Sequence, residues 1–232
     1  MYDQNTALLL FTHPRNGYAS VSLVDLSQLG ADPGGFLLWR RLLLLVAPLL
    51  PTEGMNEHGL TIAKADVQSD DPPYDKAKET LLFRTAMRVV LDQAKTTQEA
   101  IELLAGYNIS FGGGGGHFLI ADPTGDSAIV EYFENEVKVI RNPDPWQVIT
   151  NFNVANTTDM SEEGSYERYK ITDDALRERD GVLNIEEGMV LLNNASVSGT
   201  IWSIVFDMTT LDMDIVLYRQ FSDITHLSRE DW

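Results

Sequence analysis

The sequence predicts an α+β fold in which strands and helices follow one another in blocks. The chain has 232 residues, 44% of them hydrophobic and 22% charged, which is enough for one large domain with a full core spanning residues 1–232. Strand-like runs occur at the start, in the middle and at the end, and helical spacing occupies the two regions between them. Two layers of antiparallel strands, each covered outside by a helix pair, satisfy this order, although other α+β folds would satisfy it too.

The first block contains strands and one strongly apolar run. Ala7 to Phe11 is apolar, Tyr18 to Asp25 alternates, and the Asn16-Gly17 pair between them predicts a hairpin. The Leu-rich run 42–50 is far shorter than the ~20 apolar residues of a membrane span, so we expect a buried strand or core segment there. Gly54 to Ala65 is predicted to form a turn and then a strand.

Two helices should follow a break at the Pro72-Pro73 pair. The first is indicated by apolar residues at helical spacing, namely Leu82, Ala86, Val89 and Val90. The second is predicted to begin at Thr96, because Thr96 and Glu99 have the spacing of a capping box, and to end by Gly106.

The second half repeats the pattern of strands, helices and strands. The five glycines 112–116 are predicted to form a flexible loop, and no Lys-Ser/Thr pair follows them as a phosphate loop would require. Strands should resume at His117, with turns at 122–125 and 134–136. Tyr166 to Arg177 is predicted to be helical, and Asn184 with Glu187 should cap the next helix. Strands at 201–206 and 213–218 close the chain.

Composition excludes several classes of function. The net charge of -18 argues against binding nucleic acid or an anionic membrane surface, since both need clustered Lys and Arg. Without any cysteine there are no disulfides or thiolate metal sites, and the four histidines lack metal-ligand spacing. We therefore expect no metal and no cofactor. The absence of a visible signal segment favours a cytoplasmic location, which a leader outside this sequence could change.

Three segments carry a family resemblance. They are Glu53 to Ala63 with its Gly-Met-Asn-Glu-His-Gly-Leu core, His117 to Glu131, and Trp146 to Phe152. In this order they resemble the choloylglycine hydrolases, also called linear amide C–N hydrolases, a family of N-terminal-nucleophile hydrolases that includes penicillin V acylases and bile-salt hydrolases. The resemblance covers nearly the whole chain and implies a four-layer αββα sandwich.

The resemblance also implies candidate site residues. Asn151 would donate its side-chain amide to an oxyanion, although a turn or strand-end role is the alternative. Arg168 lies in a Ser-x-x-Arg-aromatic segment and would sit beside the nucleophile; an exposed helical arginine is the equally weighted alternative. Asp66 occupies a position where relatives carry an Asn or Tyr that helps to bind the carbonyl, and its negative charge departs from that pattern.

The family's nucleophile is a cysteine at the start of the mature chain, and it is absent here together with the Arg-Asn-x-Asp segment that follows it. The resemblance therefore implies a family body without its first strands, inactive as it stands, whose partner is a small N-acyl amide. A non-catalytic acyl-amide-binding protein is the alternative, and a leader on a separate chain is a third reading. Self-cleavage before Ser165 or Thr200 would leave too little chain, and a homo-oligomer remains open.

Overall fold

The computed structural model describes residues 7–26, 44–68, 72–141, 144–155, 157, 159, 161 and 164–232. Within these ranges the chain forms twelve strands: β1 (Ala7–Thr12), β2 (Ser20–Asp25), β3 (Glu53–Asn56), β4 (Thr61–Val67), β5 (Thr80–Leu82), β6 (Asn108–Ser110), β7 (Gly115–Ala121), β8 (Ser127–Phe133), β9 (Glu136–Ile140), β10 (Trp202–Phe206), β11 (Met213–Leu217) and β12 (Thr225–Leu227). The α+β class predicted from the sequence is confirmed.

Four α-helices have both ends within the described residues: α1 (Phe83–Gln93), α2 (Thr97–Ala105), α3 (Tyr166–Arg177) and α4 (Ile185–Ala195). Residues 44–46 are also α-helical. Asn184 and Glu187 form the predicted reciprocal capping box of α4. Thr96 caps α2 as predicted, because its side chain accepts the N–H of Glu99. The Glu99 carboxylate instead accepts the N–H of Lys95, one residue before the position that a capping box would use.

Seven strands form one antiparallel sheet in the order β1-β2-β3-β4-β7-β8-β9. The predicted hairpin joins β1 to β2, with Thr12 opposite Ser20, so the connection is longer than a two-residue Asn-Gly turn. The turn predicted at 134–136 joins β8 to β9 through Glu134 and Asn135, which both have positive φ, while Glu136 is already the first residue of β9.

One face of this large sheet is covered by α1 and α2. A continuous apolar core lies between them, with Met87, Val90 and Leu91 of α1 packed over Ile62 and Phe118 of the sheet, all at most 1% exposed. Of the pattern predicted for the first helix, Ala86 and Val90 are buried in this core, whereas Leu82 is 54% exposed and belongs to β5. Burial of the apolar stripe of α1 drives the helix onto the sheet.

The other face of the large sheet packs against the smaller sheet β10-β11-β12. Val21 and Met55 from the large sheet meet Met213 of β11 in a second buried cluster. Helix α4 covers the outside of β10, where Gly188 and Val205 approach each other closely, and α3 packs beside α4. In the described residues the layers therefore run helix pair, sheet, sheet, helix pair.

A short parallel pair, β5 with β6, was not predicted from the sequence. Thr80 lies opposite Asn108 and Leu82 opposite Ser110. Strand β5 leads directly into α1, and β6 follows α2 after two residues. The pair therefore joins the beginning of α1 to the end of α2. Three-residue strands carry too little periodicity to be detected in a sequence.

The predicted burial of the Leu-rich run is wrong for most of its described part, in which Ala47 is buried and the leucines are partly or largely exposed. Leu45 is 74% exposed and Leu49 is 52% exposed, and Ala47–Leu49 form a 3₁₀ turn with Pro48 near its start. Proline cannot donate to a strand ladder, which disfavours a strand here. Residues 42–43 lie outside the described ranges. None of the described helices combines the length and apolar character needed to cross a bilayer.

The glycine run is only partly a loop. Gly115 and Gly116 belong to β7, opposite Val67 and Asp66 of β4, which corrects the prediction of a loop through 116. A Cβ at residue 115 would lie 2.3 Å from the carbonyl oxygen of Gln68, so the close approach of two backbones requires glycine there.

Candidate functional site

The structure brings the three predicted site residues together at the end of β4. The Asn151 side chain donates from Nδ2 to the carbonyl oxygen of Asp66 at 2.9 Å. Arg168, in the first turn of α3, donates from Nη2 to Asn151 Oδ1 at 2.5 Å. The Asn151 carboxamide is therefore oriented at both ends, and its nitrogen keeps a second hydrogen for another acceptor.

Ser165, directly before α3, connects the segment that contains Asn151 to the start of α3, where Arg168 lies. Its hydroxyl accepts the backbone N–H of Asn151 at 2.9 Å and donates to Thr150 Oγ1 at 3.1 Å. Both hydrogen-bonding directions of this hydroxyl are thus used. The start of α3, and with it Arg168, is fixed relative to Asn151.

A buried histidine–carboxylate pair anchors the same segment from the sheet. His117 of β7 and Glu131 of β8 are both fully buried, and their Nδ1 and Oε1 atoms lie 3.0 Å apart. The Nε2 atom of His117 lies 2.9 Å from the carbonyl oxygen of Thr150. One ring nitrogen of His117 therefore faces a carboxylate and the other faces a main-chain carbonyl oxygen.

Glu131 also receives two backbone N–H groups, from Val154 at 2.6 Å and from Ala155 at 2.9 Å. Burial by itself would raise the pKa of Glu131, but the hydrogen bonds from His117 and from these two amides outweigh it and lower the pKa. Hydrogen bonds to the large sheet therefore fix Thr150 before Asn151 and residues 154–155 after it. The sequence analysis placed His117 at the start of a strand and did not find this pair.

The side chain of Asp66 turns away from Asn151. Its carboxylate forms an ion pair with Lys64, whose ammonium lies 4.4 Å from the centre of the Phe83 ring. Only the main-chain carbonyl of Asp66 contacts Asn151. The predicted part of Asp66 in substrate binding stays a prediction.

A cavity of about 320 Å³ adjoins the site, and its charged lining residues are Arg168 and Glu53. Glu53 begins β3 and accepts the indole N–H of Trp202 on Oε1 at 2.5 Å. Burial raises the pKa of Glu53 to about 6, and the Trp202 hydrogen bond offsets this only in part. Glu53 was missed in the sequence, although an acid two residues before the apolar Met55 on the same strand face was a usable signal.

Two of the other histidines contact side chains outside this site. The His58 ring contacts Tyr18 edge to face, and His226 pairs with Asp214 at 2.6 Å. Across the described residues no group of three or more His, Cys, Asp or Glu side chains could hold a metal ion.

Sequence comparison identifies a family for most of the chain. The model of the family described as acyl-coenzyme A:6-aminopenicillanic acid acyl-transferase matches residues 50–220. No curated protein matches the sequence.

Three solved structures illustrate the similarity of fold. Penicillin V acylase from Agrobacterium tumefaciens superposes with a TM-score of 0.65 at 18% identity, over 92% of this chain and 70% of that one. Conjugated bile acid hydrolase from Clostridium perfringens gives 0.68 at 16% identity, over 100% and 87%. The N-acylethanolamine-hydrolyzing acid amidase ortholog from Caenorhabditis elegans gives 0.53 at 12% identity, over 97% and 88%. Family model and fold together confirm the predicted resemblance to choloylglycine hydrolase-like N-terminal-nucleophile proteins.

Proposed function

Because this chain belongs to the acyl-coenzyme A:6-aminopenicillanic acid acyl-transferase family, we propose that it is the substrate-binding body of a linear amide C–N hydrolase or acyltransferase. Its substrate is an N-acyl amide bound at the Asn151 and Arg168 site. The observation that carries the proposal is the orientation of the Asn151 carboxamide by Arg168 and by the carbonyl of Asp66.

Amide cleavage places negative charge on the carbonyl oxygen, and a preorganised N–H donor stabilises that charge. The second Nδ2 hydrogen of Asn151 supplies such a donor. The Arg168 guanidinium on Oδ1 polarises the carboxamide and so strengthens the donor, because hydrogen-bonded groups in series reinforce each other. Arg168 thus acts through Asn151 on the substrate carbonyl.

The nucleophile is the missing part of this chemistry. No cysteine occurs in the 232 residues. The Ser165 hydroxyl near Asn151 is engaged in two hydrogen bonds, and neither partner is a base that could activate it. We therefore expect residues 1–232 to bind an N-acyl amide without cleaving it.

The test is calorimetric titration with N-hexanoyl ethanolamine and N-hexanoyl glycine, followed by chromatography for the free acid. We expect saturable heat, no product, and clearly weaker binding for Asn151→Ala. Asn193→Ala, on the exposed side of α4, is the matched control and should bind as the wild type does. Absence of heat with both compounds, or equal binding by both variants, would refute the proposal.

A non-catalytic acyl-amide-binding protein is the second candidate. The observation that favours it is Asp66, whose carboxylate pairs with Lys64 and turns away from Asn151, so that its side chain gives the site no neutral donor for a substrate carbonyl. Adding a synthetic peptide that begins with Cys and contains Arg-Asn-x-Asp separates the two. Release of hexanoic acid on addition supports the hydrolase or transferase, and binding that stays without turnover supports the second candidate.

A further inference from the structure

One edge of β10 is fully used by its pairing with β11. Tyr218 donates its N–H to the carbonyl oxygen of Ile201 at 2.7 Å, one residue before the ladder, and Asp207 donates to that of Asp212 at 2.9 Å, one residue after it. Main-chain hydrogen bonds in an antiparallel ladder are made by every second residue of a strand. Between these two pairs, residues 203 and 205 therefore direct their N–H and C=O groups to β11.

The other edge of β10 has no strand beside it in the described part of the chain. The N–H and C=O groups of Trp202, Ile204 and Phe206 point to this edge, and none of them has a main-chain partner among the described residues. All three residues are partly exposed. Such a row of donors and acceptors is a template on which another extended chain can pair.

A cavity lies along this open edge, and it is the cavity of about 320 Å³ that Arg168 also lines. Ser203 and Ile204 point to opposite faces of β10, and both line the cavity, which therefore lies beside the strand and not above one of its faces. We call it the β10 slot. Another of its walls is formed by Val148 and Ile149, neither of which has a main-chain hydrogen-bond partner among the residues that the structure describes.

The chemistry of these walls selects the occupant. Two walls present main-chain groups without partners in the described structure, and an extended peptide supplies N–H and C=O groups at the spacing of a strand. The side chains around the slot are mostly apolar or carry a hydroxyl, and they include Leu192, Ala195, Thr172 and Thr200. Valine and threonine side chains on an added strand pack well in such surroundings. An acidic peptide is disfavoured by the net charge of -18.

We propose that the β10 slot binds one extended, uncharged peptide segment, which adds to β10 as a further strand. Because residues of α3, α4 and β3 line the same cavity of about 320 Å³, the slot has room for a single strand and not for the folded edge of a second copy of this chain. The proposal goes beyond the proposed function, since main-chain pairing needs neither an amide substrate nor a nucleophile.

The test is an NMR titration of isotope-labelled protein with the acetylated and amidated pentapeptide Val-Thr-Val-Thr-Val. We expect saturable shifts, and amide exchange at Ile204 that slows by about tenfold or more at saturation. The amides of Ser203 and Val205 already bond to β11, so the peptide should leave their exchange unchanged. The same peptide with a methyl group on the central amide nitrogen loses a donor and should bind about tenfold more weakly.

A matched pair of variants on α4 tests the position of the peptide. Ala195→Trp places a large ring at a residue that lines the slot and should weaken peptide binding by about tenfold or more. Asn193→Trp adds the same ring at an exposed position two residues earlier and should bind the peptide as the wild type does. Melting temperatures check that both variants fold. Should Ala195→Trp fail to fold, the exchange pattern and the methylated peptide still decide.

Absence of saturable binding would overturn the proposal, and so would equal binding of the methylated peptide. Protection of β1 or β9 amides in place of Ile204 would overturn it too, because the peptide would then occupy another edge. An Ile204 amide that is already protected without peptide would mean that the chain's own residues fill the slot, which also overturns it. Calorimetry with N-hexanoyl ethanolamine is a separate measurement, so failure of amide binding and failure of strand addition are distinguished.

Discussion

Glu53 and Glu131 show how the number of donors decides the ionisation of a carboxyl group inside this protein. Glu53 has a single donor, the Trp202 indole, so burial prevails and raises its pKa to about 6. Glu131 has His117 and two backbone amides, so hydrogen bonding prevails over burial and lowers its pKa. Two acids of the same sheet therefore contribute to stability in opposite pH ranges.

We predict that Glu53→Gln removes a loss of stability that the wild type undergoes as pH rises through about 6. The folded pKa of Glu53 is raised from 4.5 to about 6, so its contribution is fully present below pH 4.5 and is lost as pH rises through about 6. At pH 7.5 the variant should be more stable than the wild type by about 1 kcal/mol. Urea unfolding from about pH 4.5 to pH 7.5 measures the difference.

Glu102→Gln, on the exposed side of α2, is the control, and its stability should stay parallel to that of the wild type. Parallel pH profiles for wild type and Glu53→Gln would show that Glu53 is hydrated enough to ionise normally.

The opposite pH dependence is expected for Glu131→Gln. The Gln amide nitrogen would face a backbone N–H that now binds the carboxylate, so we predict a loss of about 3–5 kcal/mol at pH 7. The pKa of Glu131 is lowered, so its contribution is present above the unfolded value of 4.5 and disappears as pH falls through the folded value. The deficit of the variant should shrink in acid, as measured by denaturation at a series of pH values. The exposed Glu136→Gln should show no such deficit, and a constant deficit would contradict the charge argument.

At the scale of elements, the start of β7 depends on glycine. Gly115→Ala would place a Cβ 2.3 Å from the Gln68 carbonyl oxygen, and a backbone atom cannot move aside as a flexible side chain can. We predict a destabilisation of about 1–3 kcal/mol and, since β7 leads to His117, weaker amide binding at the Asn151 site. Gly114→Ala meets no atom closer than 4.0 Å and should change stability by less than about 0.5 kcal/mol. Equal melting temperatures for the two variants would contradict this assignment.

Elements with strong local patterns were predictable. The helix 166–177 has its predicted bounds, and the Asn184 cap is set by side chains within a few residues. Failures arose where distant residues decide the structure. Gly115 joins a strand because β4 lies beside it, and Leu44, Leu45 and Leu49 are exposed although the composition of their run favours burial.

The candidate site likewise contains residues that could be predicted from the sequence and residues that could not. Asn151 and Arg168 could be named from short segments that resemble a family. Glu53, Ser165 and the His117–Glu131 pair matter through contacts that span between 14 and 149 residues of sequence, and no local spacing encodes such contacts.

For the whole molecule, the net charge of -18 predicts a strong response to salt. Self-repulsion among acidic groups destabilises the compact state, and added salt screens it. We predict a rising melting temperature between about 0.02 M and about 0.3 M NaCl, measured by calorimetry. Sucrose at equal osmolality controls for effects other than screening and should not reproduce the salt dependence. A falling melting temperature would mean that ion pairs such as Arg179–Glu187 outweigh the repulsion.

The β5–β6 pair has a consequence for how the molecule opens. Because it joins the residues that enter α1 to the residues that leave α2, neither helix can fray from the sheet alone without breaking the pair. The segment 80–110 should therefore behave as one cooperative unit, in which amide protons of both helices exchange with solvent at a shared opening free energy.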